Sequence, residues 1–127
     1  HNMHDFYKTL ETTGMDPSNL IISKQQHPTF PGLYEVRYKI PSLTYGPDGK
    51  LIPSGQFKTI RFPKTVYDPN VYTDAQMIQW GKEAMEEGIK AKRITGREVE
   101  GYSSNGMKFR GYINDQGEIT NFFPTFK

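Results

Sequence analysis

The chain has 127 residues, 35% of them hydrophobic and 24% charged, enough for one globular core and too few for two. It contains no cysteine, which excludes a disulfide framework, an iron–sulfur cluster, a thiolate zinc site and a cysteine nucleophile. The net charge of +2 permits a polyanionic partner without demanding one. No apolar run approaches the ~18–20 residues of a membrane-spanning helix, so no stable membrane insertion is expected. The N-terminus lacks the pattern of a signal peptide. Beginning at His1 rather than Met, the chain reads as a piece of a larger protein.

Residues 1–31 read as a lead-in. Positions 1–10 form a short helix with Phe6, Tyr7 and Leu10 on one side. Gly14 and Asp16-Pro17 break it, Leu20-Ile21-Ile22 adds a short strand, and Pro28 and Pro31 bracket a turn. The first strong signal is Leu33 to Ile40, where Tyr34, Val36, Tyr38 and Ile40 alternate with Glu35, Arg37 and Lys39, the period of a half-buried strand. Pro41 should end it. Ser42 to Gly55 then reads as a wide, mobile, functional loop with a turn at Gly46-Pro47-Asp48-Gly49, and Gln56 to Phe62 resumes as the second strand of a hairpin.

After Pro69 the period changes. Thr73 and Gln76 form a capping box, with Asp74 in the first turn. Met77, Trp80, Gly81, Ala84, Met85 and Ile89 follow at helical spacing. Close packing against a sheet would account for Gly81, and Gly88 should end the helix early. The basic run Lys90, Lys92, Arg93 and Arg97 leads into a C-terminal hairpin. There a three-residue loop, Asp115-Gln116-Gly117 with Gly117 left-handed, pairs Ile113 with Ile119 and Phe109 with Phe123. That register separates apolar from polar residues. It also sets Thr120 opposite Tyr112, on a face shared with Lys108 and Arg110, where a phosphate could sit. The expected fold is α+β: a mainly antiparallel, twisted sheet on one main helix, with an N-terminal helical segment. It is read as a single domain over 1–127, with 1–31 as lead-in and 32–127 as sheet-based core.

The histidines (His1, His4, His27) and the scattered aspartates show no spacing of a metal site, and no phosphate-binding glycine loop or nucleophile elbow is present. What the residues suit is metal-independent RNA cleavage. One group takes the proton of the 2′-hydroxyl, another protonates the leaving 5′-oxygen, and fixed donors bind the charge on phosphorus. The segment from Phe57 to Pro69 concentrates Lys58, Arg61, Lys64, Thr65, Thr59, Tyr67 and Asp68 between a strand and a capped helix, stiffened by Pro63 and Pro69. His27 is a candidate general base or acid, and Tyr67 and Tyr112 are candidates to stack on bases.

Three stretches carry a family resemblance. They are Lys64-Thr65-Val66-Tyr67-Asp68-Pro69 with Tyr72 to Met77 and Trp80-Gly81, then Gly106 to Ile113, and finally Gly117 to Pro124. In order and spacing, the chain from Gly32 resembles the C-terminal toxin domains of contact-dependent growth inhibition exoproteins. Their fold is shared with the EndoU, barnase and colicin nucleases. The resemblance implies a tRNA-cleaving toxin blocked by a cognate immunity protein. It also implies an active site near Lys64, Thr65 and Asp68 that Arg110 and Thr120 complete. EndoU-like nucleases would use two histidines ahead of the lysine, of which His27 is the well-placed one, and Phe123 stands where their tyrosine would be.

The expected function is thus a metal-independent, cofactor-free endoribonuclease delivered from a cell-surface exoprotein into the cytoplasm of target bacteria. Lys64 and Arg110 would neutralise the scissile phosphate and Thr65 and Thr120 would donate to its oxygens. His27 or Asp68 would accept the proton. Arg37, Lys39, Lys58, Arg61, Lys90, Lys92, Arg93 and Lys108 would hold the RNA backbone. The expected partners are tRNA, an acidic immunity protein and a host factor such as elongation factor Tu. The competing readings are a non-catalytic protein- or RNA-binding domain and a magnesium-dependent DNase toxin.

Overall fold

A computed structural model describes residues 1–126. The order is α1 (Met3–Glu11), β1 (Ile21–Gln26), β2 (Leu33–Tyr45), β3 (Leu51–Thr59), β4 (Lys64–Tyr67), α2 (Asp74–Lys90), β5 (Ile94–Thr95), β6 (Glu98–Tyr102), β7 (Lys108–Ile113) and β8 (Ile119–Pro124). The α+β expectation holds, but the strands divide into two antiparallel sheets. In the first, β1 lies along one edge of β2, and β4 and β3 follow each other along its other edge. The second runs β5-β6-β7-β8.

Each sheet has its own helix. In α1, Asn2 caps the start by accepting from the His4 N–H at 2.8 Å. Phe6 and Leu10, one turn apart, then bury against Leu20, Val36 and Val66. In α2 the capping box forms as expected, the Thr73 hydroxyl accepting from the Gln76 N–H at 3.1 Å and Gln76 accepting from the Thr73 N–H at 2.9 Å. Met77, Ala84 and Met85 pack on Val99, Met107 and Phe109, and Leu33 and Tyr67 from the first sheet join the same cluster. Each fully buried Leu or Val contributes about 1.5–3 kcal/mol, so this cluster also fastens the two sheets together.

Glycines set how closely α2 approaches. A Cβ at Gly88 would strike the Glu100 carbonyl, and one at Gly101 the Ala84 carbonyl. Gly88 is therefore a packing contact, and it does not end the helix, which runs on to Lys90.

Two expectations about β2 and β3 fail. The strand does not stop at Pro41 but continues to Tyr45. Pro41 is tolerated because the register shifts between it and Leu43, the kind of irregularity where a missing N–H does least damage. Residues 42–55 are accordingly a paired ribbon rather than a wide loop. Its turn at Gly46–Gly49 is closed by a Gly46 N–H to Lys50 carbonyl bond of 2.8 Å.

The C-terminal hairpin differs in one residue. Gly117 adopts φ 78° and Ile113 pairs with Ile119, as expected. The register then shifts, so that Tyr112 pairs with Asn121, Arg110 with Phe123 and Phe109 with Pro124. Thr120 is the extra residue of the bulge. The shift turns Phe122 inward, where it meets Phe109 edge-on at 6.3 Å and covers the bare backbones of Gly81 and Gly111.

Candidate active site

Between the sheets lies a cleft with two lobes. The larger, about 470 Å³, is walled by Glu35, Arg37, Phe62, Pro63 and Thr65 on one side and by Arg110, Tyr112, Phe123 and Thr125 on the other. The smaller, about 380 Å³, is lined by His1, Lys64, Asn121 and Phe122 as well as Pro63, Thr65 and Phe123. The three shared residues make the lobes continuous, and both volumes suit a small ligand. Residues far apart in the chain, Lys64 and Thr65 on β4 and Arg110 on β7, thus meet at one cleft.

Strand pairing explains the wall. Thr65 lies opposite Glu35 and Lys64 opposite Val36, so the two side chains leave β4 on opposite faces. Thr65 faces the larger lobe beside Glu35. Lys64 is half-buried at the smaller lobe, and desolvation holds its ammonium below the ordinary lysine value of 10.5. Arg110 is not a free cation. Glu100 accepts from its guanidinium at 2.9 Å and Glu98 pairs with it too. Glu100 also holds Lys108 at 3.2 Å, and these hydrogen bonds keep the Glu100 carboxyl below the usual carboxylate range. The face expected to be cationic is therefore partly neutralised by the opposite charges of β6, because Glu98 and Glu100 alternate on its outer side.

Other expected residues sit elsewhere. Thr120 is exposed in the bulge, its hydroxyl donating to the Tyr112 carbonyl at 3.3 Å, and it does not line the cleft. His27 does not line it either. Its Nδ1 accepts from the Thr29 and Phe30 N–H groups at 3.0 and 3.2 Å, its ring packs on Phe30 and Phe126, and burial lowers its pKa. Asp68 caps the turn before α2, accepting from the Asn70 N–H at 2.9 Å. Tyr67 is buried and donates its hydroxyl to Asp74. Burial and that bond raise its pKa, and the ring cannot stack on RNA.

Arg37 and Tyr112 do reach the cleft. Arg61 stacks over Phe62, 5.3 Å from the ring centre, and Lys58 is exposed on β3. Arg93 is engaged by Glu87 at 2.8 Å, away from the cleft.

The sequence reading missed His1, Glu35, Phe62 and Thr125. Glu35 looked like one more polar residue on the wet side of a strand, and His1 like part of a frayed end. His1 is fixed because its carbonyl accepts from the Tyr67 N–H at 3.0 Å. The one available signal was alternation: in β2 the inward-facing Leu33 shares its side with Glu35 and Arg37. Among the described residues, no three His, Cys, Asp or Glu side chains gather as a metal site.

The family model of the bacterial EndoU nuclease matches residues 1–126. The chain belongs to the bacterial EndoU nuclease family. This EndoU chain is 35% identical over 94 residues to a protein of Yersinia mollaretii named tRNA nuclease CdiA, which covers 73% of the chain. It is 33% identical over 129 residues to the tRNA nuclease CdiA of Escherichia coli strain STEC_O31, covering 98% of the chain. The chain spans only 3% and 4% of the length of these two curated relatives. The likeness to toxin domains of contact-dependent growth inhibition proteins is thereby borne out. Within this EndoU chain, the histidine on the cleft is His1, and Phe123 supplies an aromatic wall without a hydroxyl.

Proposed function

We propose that this EndoU domain cleaves tRNA as a metal-independent endoribonuclease toxin. The observation that carries the reading is the position of Thr65, shared by two lobes that hold Glu35 and Arg110 on one side and His1 and Lys64 on the other. A phosphodiester seated at Thr65 receives donors from its hydroxyl and from Arg110 in the larger lobe, and Lys64 adds its charge from the adjoining smaller lobe; together they stabilise the charge that grows on phosphorus. Glu35 takes the proton of the attacking 2′-hydroxyl, and the His1 imidazolium gives one to the departing 5′-oxygen. The products are a 2′,3′-cyclic phosphate and a 5′-hydroxyl. Tyr112, Phe123 and the exposed Phe62 offer faces for flanking bases.

The relatives' names support tRNA as the substrate. In the same reading the domain is carried by a longer cell-surface protein into the cytoplasm of target bacteria. An acidic immunity protein covers the cleft in the producing cell, and a host factor such as elongation factor Tu assists in the target.

The test is incubation of purified domain with total tRNA in EDTA. Cleavage leaving cyclic-phosphate ends, reduced about 10²–10³-fold by Lys64→Ala, is the expected result for loss of one charge-stabilising donor. Intact tRNA in EDTA with cleavage restored by magnesium refutes metal independence. Intact tRNA under both conditions, with the host factor supplied, refutes the nuclease reading.

A further inference from the structure

The ribbon formed by residues 39–45 of β2 and 51–59 of β3 has no role in the cleft chemistry. Beyond Tyr38 and Lys39, the edge of β2 that carries β1 has no partner strand among the described residues, so past the buried Pro41 the hairpin projects as two strands alone. At about 3.3 Å per residue, the stretch from Ser42 to Tyr45 reaches roughly 13 Å. Every residue of β3 is exposed. Tyr45 is 75% exposed at the tip, Leu51 56%, and Phe57 40%. A bare two-stranded ribbon with this much apolar surface is costly.

Its charge is as uneven as its exposure. Across residues 39–59 stand three cations (Lys39, Lys50 and Lys58) against the single carboxylate Asp48, with Arg37 and Arg61 flanking them. The ribbon and its turn thus carry +2, the whole net charge of the chain. Cation and aromatic are interleaved, the Lys39 ammonium lying 4.3 Å from the Phe57 ring centre. The ribbon is also continuous with the cleft. Arg37 at its base and Phe62 just past its end line the larger lobe.

We propose that this β2–β3 arm is an RNA-gripping exosite that holds the substrate beyond the scissile linkage, its lysines on phosphates and Tyr45 stacked on a base. This deepens the nuclease reading and rests on it. A protein strand would be a poor occupant of the outer edge of β3. Pro53 has no N–H, Gly55 sits at φ 85° where the ladder shifts, and Lys58 charges the edge, the features that discourage strand addition.

The experiment compares the domain with a Tyr45→Ala/Lys50→Ala variant, both positions being exposed. Binding is read with a fluorescent 2′-O-methyl RNA of tRNA length, which lacks the attacking hydroxyl, and cleavage with a trinucleotide and with tRNA. We expect the variant to bind the long RNA at least tenfold more weakly. Its salt slope should be shallower by about 0.7, the share of one phosphate contact, and its trinucleotide cleavage unchanged. Unchanged affinity for the long RNA overturns the proposal and leaves the arm to a protein partner. Equal losses on trinucleotide and tRNA overturn it as well. A wild-type domain that cleaves neither RNA refutes the nuclease reading instead, while the binding comparison still decides the arm.

Discussion

Glu100 on β6 holds the Arg110 guanidinium of β7 at 2.9 Å from directly across the pair. The arginine that faces the cleft is thus oriented by a neighbour that also offsets its charge. Removing the carboxylate acts on turnover rather than on substrate affinity, because the guanidinium keeps its charge and loses its aim. For Glu100→Gln we expect kcat on tRNA to fall about tenfold, with KM unchanged or lower. Steady-state kinetics check this, and a raised KM at constant kcat contradicts it.

Two threonines give a contrast. Thr65 lines both lobes, whereas Thr120 bonds its own hairpin from an exposed bulge. Thr65→Ala should lower cleavage about 10²-fold, the scale of one lost donor. Thr120→Ala should leave it within about twofold. Parallel cleavage assays on tRNA settle the pair.

Lys64 should give the pH profile its alkaline limb. Desolvation lowers its folded pKa below the unfolded value near 10.5, so the cation needed at the phosphate is lost as pH rises through that lowered value. The activity limb therefore falls below pH 10.5. In stability the sign is reversed. The folded domain resists charging this lysine, so the cost is full at neutral pH and is relieved as pH climbs from the folded pKa toward the unfolded one. Lys64→Met should lose cleavage as Lys64→Ala does, be more stable at pH 7, and lack that alkaline gain in thermal melts.

His27 is expected to be structural. Its Nδ1 receives two backbone N–H groups, and losing them costs about 1 kcal/mol, a Tm drop of roughly 3–6 °C for a domain this size. His27→Ala should show that drop while cleavage at a permissive temperature stays within about threefold. A loss comparable to that of Lys64→Ala would make His27 catalytic after all.

Gly101 tests the helix–sheet contact. A Cβ there would collide with the Ala84 carbonyl, a backbone atom that cannot swing aside. Gly101→Ala should cost about 3 kcal/mol, at the upper end of overpacking, as seen in urea unfolding.

The local elements and the family resemblance are legible in the amino-acid sequence alone. Alternation marked β2 and β7, the Thr73–Gln76 box marked the start of α2, and Gly117 marked the last turn, since each depends on residues a few positions apart. The sequence also singled out Lys64, Thr65 and Arg110. Tertiary structure decided the rest, because the deciding contacts join distant segments. The four residues of β4 carry no period of their own and become a strand only beside β2. The bulge at Thr120 exists because Phe122 must reach Gly81, some forty residues earlier, and that single shift removes Thr120 from the cleft. Glu35 and His1 face one cleft only because two sheets close around Thr65, a juxtaposition that no spacing along the chain encodes.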